Sequence, residues 1–98
     1  MKPNLGLLVL LEAKPGKEDE LAAFLEQGRA LAEAEPGTVT WYAFQVNEST
    51  YGIFDTFETE DGRQAHLSGE IAAALGQIAP DLLASAPDIR PVDVLAAT

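Results

Sequence analysis

An α+β domain with the element order β-α-β-β-α-β is the architecture this sequence predicts, on three observations. Four stretches are β-branched, aromatic or continuously apolar. Two longer stretches repeat apolar residues at helical spacing, and Pro, Gly and Asn fall at the joints. Right-handed crossovers turn this order into one four-stranded antiparallel sheet with both helical segments on one face. The 98 residues make a single domain, 1–98, without repeats or linkers.

Leu5–Glu12 is nearly all apolar and has no helical stripe, so it reads as a strand buried on both faces. Lys14-Pro15-Gly16-Lys17 breaks it. Glu18, Asp19 and Glu20 then place negative charge in the first turn of a helix, where the backbone dipole favours it. Leu21, Phe24, Leu25, Gly28, Leu31 and Ala32 line one face of that helix, and Glu35-Pro36-Gly37 ends it. Thr38–Val46 and Thr50–Phe57, joined by Asn47-Glu48-Ser49, form an antiparallel hairpin. Thr59 caps a second helix that has Glu60 and Asp61 in its first turn. Ser68-Gly69 interrupts or bends this helix, and its stripe continues through Ile71, Ala74, Leu75 and Ile78 to a stop at Pro80. Ile89–Leu95 is the last strand, and Pro91 within it implies an edge position or a bulge.

Helices cover one face of this sheet, yet its strands are apolar on both. Leu5, Leu7, Val9 and Leu11 alternate with Leu8 and Leu10, and Val39, Trp41 and Ala43 alternate with Tyr42, Phe44 and Val46. A single sheet exposing either set leaves a large apolar patch in water. A second copy facing the first removes that patch, so a homodimer through the sheet faces is expected.

Sixteen acidic residues against six basic ones give a formal charge of −10. This balance excludes nucleic acid and anionic membrane as partners, because phosphate binding needs clustered Lys and Arg. The lack of Cys, with a single His, argues against a structural zinc site and fits a reducing compartment. The apolar run Leu5–Leu11 is short for a signal peptide, and Glu12 follows where small residues would be needed for cleavage. No stretch approaches transmembrane length. The expected location is the cytoplasm.

His66 is the one side chain whose ordinary pKa lies near neutrality, so proton chemistry at neutral pH uses it or a perturbed carboxylate. It is a candidate general base; the alternative is a helix-surface His pairing with Glu70. Asp55 lies in an otherwise buried run, so it must be solvated, paired or used. Arg63 is its expected ion-pair partner, or else a binder of an anionic ligand group; orienting His66 is the other role open to Asp55. Trp41, Tyr42 and Tyr51 could wall an aromatic cavity or pack as core, with Trp41 and Tyr42 on opposite faces. Gly16, Gly37 and Gly62 form no phosphate-binding fingerprint.

Two segments, LEAKPGKEDELAAFL after the first strand and IFDTFETEDGRQAHL at the third strand and second helix, resemble the antibiotic biosynthesis monooxygenase family. The likeness extends over nearly the whole chain, and its more specific part is the acid, aromatic and helix-borne His at Asp55, Phe57 and His66. It implies a ferredoxin-like βαββαβ fold assembling as a dimeric α+β barrel. It also implies a cofactor-independent monooxygenase acting on a small aromatic quinol or related compound. His66 would be the general base, and Trp41, Tyr51, Asp55, Phe57 and Arg63 would bind substrate. The chain departs from the family pattern at Ile71, where a second His is frequent, and at Phe57, where Trp is frequent. Haem-degrading relatives use an axial His and an Asn, and the nearest positions here are Gly76 and Val9. No metal or organic cofactor is expected. The competing expectation is a non-catalytic homodimer that binds a small hydrophobic ligand or acts as a stress-associated module.

Overall fold

The computed structural model describes residues 2–98, arranged as β1 (Leu5–Glu12), α1 (Glu18–Glu33), β2 (Thr38–Gln45), β3 (Thr50–Phe57), α2 (Glu60–Leu67), α3 (Glu70–Leu82) and β4 (Asp88–Asp93). The four strands form one antiparallel sheet in the order β2-β3-β1-β4. The α+β architecture read from the sequence is the one observed. Pro91 sits in β4, an edge strand, where its missing N–H interrupts no interior ladder.

The helices pack on the face carrying Leu7, Val9 and Leu11 of β1 and Tyr51, Ile53, Asp55 and Phe57 of β3, all buried. Leu21, Leu25 and Leu75 come down onto it to make the core. Thr59 caps α2 as expected, its Oγ1 accepting from the Gly62 amide at 3.1 Å. The helical stretch divides at Ser68-Gly69 into α2 and α3. Ser68 turns its hydroxyl back to donate to the carbonyls of Gln64 and Ala65, which satisfies the end of α2.

Two sequence expectations are corrected. The second helix does not stop at Pro80 but runs through it to Leu82. Pro80 and Gly76, whose carbonyl would face the proline ring, are both exposed, so the acceptor freed there lies on the solvent side of the helix. Strand β2 does not alternate evenly either. Its register slips between Thr38 and Thr40, pairing Thr38 with Phe57 and Thr40 with Thr56, so Val39 is the extra residue of a β-bulge. Thr38 and Trp41, three residues apart, consequently share the helix-facing side, as their partners Phe57 and Asp55 do.

The opposite face carries Leu8, Leu10, Phe44, Phe54 and the exposed Tyr42, with no helix over it. Phe44 lies across Gly52, where even a Cβ would meet its ring at 2.4 Å, so glycine there makes room for the aromatic. No helix among the described residues is long and apolar enough to cross a membrane.

Candidate functional site

Asp55 stands on β3 with Leu7 on one side and Trp41 on the other, in the interior of the sheet, and is fully buried. His66 comes down onto it from the last turn of α2 and is itself 8% exposed. Its Nε2 lies 2.7 Å from Asp55 Oδ2. This is a charge contact rather than an aligned hydrogen bond, since neither Asp55 oxygen has a hydrogen-bond partner. On the other edge of the ring, Nδ1 donates to Glu35 Oε1 at 2.5 Å. Glu35 is set in the turn between α1 and β2, and Thr38 Oγ1 donates to the same oxygen at 2.8 Å. The Phe57 ring, fully buried, packs against the imidazole with centroids 5.3 Å apart.

Two carboxylates can only accept, so both ring nitrogens must carry protons for both contacts to attract. The electrostatics agree. Burial alone would depress the His66 pKa, but the close negative charge of Asp55 and the hydrogen bond and charge of Glu35 outweigh it and raise the pKa to about 9. At pH 7 the ring of His66 is therefore held as an imidazolium. The buried Asp55, costly if unpaired, has its counterion there.

This arrangement corrects the expected ion pair between Asp55 and Arg63. Arg63 points the other way: Nη1 donates to the carbonyls of Gly6 and Val92 at 3.2 and 3.3 Å, and Nη2 pairs with Glu60 at 2.6 Å. It staples α2 to the ends of β1 and β4 and takes no part in the cluster. The surface pairing of His66 with Glu70 is absent for a related reason, because α2 ends between them. Tyr51 is also apart. It is buried near the far end of β3, where Gln45 Nε2 donates to its hydroxyl at 3.3 Å. Trp41 and Tyr42 do lie on opposite faces. Trp41 packs against the helix-side core with its indole N–H buried and unpartnered, and Tyr42 is exposed.

Of the six residues expected at a site, Trp41, Asp55, Phe57 and His66 converge, whereas Tyr51 and Arg63 do not. Glu35 and Thr38 were missed. A glutamate before Pro-Gly reads as a solvated helix end, and the β2 bulge that turns Thr38 inward leaves no mark in the alternation of residue types. The fold alone reveals how Glu35 arrives: Gly37 and Gly62 approach so closely that a Cβ on Gly37 would meet the Gly62 Cα at 2.9 Å. Only paired glycines let the Glu35 turn reach α2.

His66 and Glu35 form part of the wall of a cleft of about 340 Å³ between α2 and the α1–β2 turn, lined also by Leu31, Ala65 and Gly69. A separate void of about 40 Å³ lies between the sheet and the helices, again with His66 in its wall. A larger groove of about 670 Å³ runs between α1 and β2. It shares Thr38 and Trp41 with the surroundings of the cluster, but His66, Glu35 and Asp55 do not line it, and its charge pair, Arg29 with Glu33, is exposed to solvent. Among the described residues, no group of three His, Asp or Glu side chains is placed to hold a metal ion.

The chain is similar to solved structures along nearly its whole length. A Nitrosomonas europaea protein of unknown function is 53% identical, with a TM-score of 0.96 over 98% of this chain and 93% of the other. A candidate antibiotic biosynthesis monooxygenase from the same organism is 14% identical, with a TM-score of 0.84 over 94% of this chain and 99% of the other. Another, from Caulobacter crescentus, is 20% identical, with a TM-score of 0.83 over 97% of this chain and 92% of the other. At such identities the likeness to these two is one of fold. No family model and no curated protein matches the sequence.

Proposed function

We propose that this chain, which belongs to one family with the Nitrosomonas europaea protein of unknown function, is a cofactor-independent monooxygenase acting on a small aromatic quinol or related compound. The fold it shares with the candidate monooxygenases supports the reaction class by analogy. The observation that carries the reading is the buried charge cluster in the wall of the 340 Å³ cleft, a volume in the range of small-molecule sites.

The chemistry balances without a cofactor. A quinol and dioxygen give a hydroxyquinone and water: one oxygen atom enters the ring, the other leaves as water, and the quinol supplies all four electrons. The step a protein must assist is loss of a phenolic proton, which makes the ring electron-rich enough to react with dioxygen. Nδ1 of His66 is engaged as a donor to Glu35 and Nε2 is held against the Asp55 carboxylate, so the role of general base passes from the ring to the Glu35 carboxylate. Glu35 Oε2, buried behind the cleft wall and without a hydrogen-bond partner, is the acceptor this reading assigns to the proton once Glu35 turns to the substrate, while the imidazolium stabilises the phenolate. Asp55 keeps His66 charged and oriented, Phe57 and Trp41 fix the ring and the strand around it, and Thr38 holds Glu35.

Oxygen uptake with a panel of one- and two-ring quinols tests this reading. Glu35→Gln preserves shape and the bond to Thr38 but cannot accept a proton, so kcat falls about 100-fold or more while the quinol KM changes little. Absence of oxygen uptake with every quinol, or an unchanged kcat in Glu35→Gln, rejects it. One observation favours the competing reading, a non-catalytic binding homodimer. The three charges satisfy one another, as they would in a clamp that only ties α2 to β3 and the α1–β2 turn.

The uncovered sheet face supports a homodimer in either case. Leu8, Leu10, Tyr42, Phe44 and Phe54 are contiguous across β1, β3 and β2, a patch suited to its own copy under a two-fold axis. Sedimentation at micromolar concentration is expected to give twice the 10.4 kDa chain mass, and a monomer would remove the basis of this proposal. The cysteine-free sequence supports a reducing, cytoplasmic setting.

A further inference from the structure

The 340 Å³ cleft and the 40 Å³ void have His66 as the one wall residue in common, and they differ in character. The cleft carries Glu35, Thr38 and Glu70 beside His66. The void is bounded by Leu7, Val9, Ile53, Ile71 and Leu75, and besides His66 only Trp41 brings a polar atom. Its size rules out an aromatic ring, since a dry apolar cavity that admits benzene measures about 150 Å³.

Water is a poor occupant. A buried water needs roughly two to four polar partners. Here both nitrogens of His66 are already committed to Asp55 and Glu35, which leaves at most the unpartnered indole N–H of Trp41. A cavity with one available donor and otherwise aliphatic walls stays dry and favours a small nonpolar molecule. Access exists as well. Leu67, at the end of α2, and Ile89, at the start of β4, are wall residues of the void that are 37% and 47% exposed, so the path from solvent is itself apolar.

From this geometry we propose that the void is a binding site for dioxygen, entered past Leu67 and Ile89. From there dioxygen reaches a substrate held in the cleft that His66 separates from it. The assignment of dioxygen as the physiological gas rests on the monooxygenase reading above; the existence of a dry gas site does not. The two substrates of that reaction would then have separate entrances, polar for the quinol and apolar for the gas.

Xenon is the probe for the site itself. Crystals of the unmodified protein under xenon pressure are expected to show xenon between Ile71 and Ile53 beside the His66 ring. An ordered water in the void, or no xenon there, overturns the proposal even if the enzyme consumes oxygen. Kinetics test its use. Ala72→Leu, which fills the void from α3, and Ile89→Trp, which covers its mouth from an exposed edge position, are expected to raise KM for dioxygen about five-fold or more with KM for the quinol unchanged. Equal KM values for dioxygen in both folded variants and the parent overturn the role in turnover. Xenon binding without oxygen uptake on any quinol keeps the gas site and rejects the monooxygenase reading instead.

Discussion

His66→Ala lowers the stability of the protein at pH 7 by about 3–5 kcal/mol, the range for removing one partner of a buried ion pair. The size of the effect comes from what is left behind. Asp55 is fully buried on a strand flanked by two others, and no other side chain offers it a counterion. Arg63, the nearest cation in sequence, is tied to Glu60 and to the carbonyls of Gly6 and Val92. A domain of this size has about 5–15 kcal/mol in total, so the variant folds marginally. His66→Ala combined with Asp55→Leu is expected to recover much of the loss, because an apolar side chain needs no partner. A lack of recovery would mean that Asp55 is stabilised by something other than the histidine.

The same pair makes wild-type stability fall with alkaline pH. The folded pKa of His66 is raised from 6.5 to about 9, so the folded state holds a proton that the unfolded chain releases. The stabilisation is complete below pH 6.5 and is lost as pH rises to about 9. Its size, discounted for solvent screening of a ring that is not wholly enclosed, is about 2 kcal/mol. Urea unfolding at intervals across that window measures it. His66→Gln should remove the slope, and a flat wild-type profile would show that the imidazolium is not held.

Phe57→Ala carries the second large effect, a loss of about 3–5 kcal/mol. The ring is fully buried at the end of β3 and leans on the imidazole at 5.3 Å. Truncation therefore leaves a cavity and also lets water reach the charge cluster. Thermal unfolding should shift downward by well over about 10 °C in a domain of this length. Phe57→Leu should lose much less, and its His66 titration, followed by imidazole proton NMR, should stay close to that of the parent. In Phe57→Ala water reaches the cluster, which changes both the burial and the charge–charge interactions that set the pKa of His66, so its titration should move away from that of the parent. An unchanged titration would show that Phe57 packs without shielding the cluster.

Most of the fold was legible because its signals are local. The continuous apolar run of Leu5–Glu12, the acidic first turn at Glu18–Glu20 and the capping Thr59 each specify backbone structure within a few residues. Pro80 misled, because a proline stop rule takes no account of whether the freed carbonyl lies on the solvent side, and here it does. The site was legible only in part. Asp55 and His66 stood out by residue type and Phe57 through the family resemblance, but Glu35 sits 31 residues from His66 and looked like the solvated end of a helix.

The sequence by itself determined the order of elements, the choice of an edge or a bulge for the Pro91 strand, and an acid in an apolar run that had to be solvated, paired or used. Only the tertiary structure decided the charge of His66. A protonation state depends on every charge within a few ångströms, and those charges arrive from β3 and from the α1–β2 turn through a bulge at Val39 and a close approach of Gly37 to Gly62. Such juxtapositions are set by backbone geometry summed over the whole chain and leave no local pattern of residues to read.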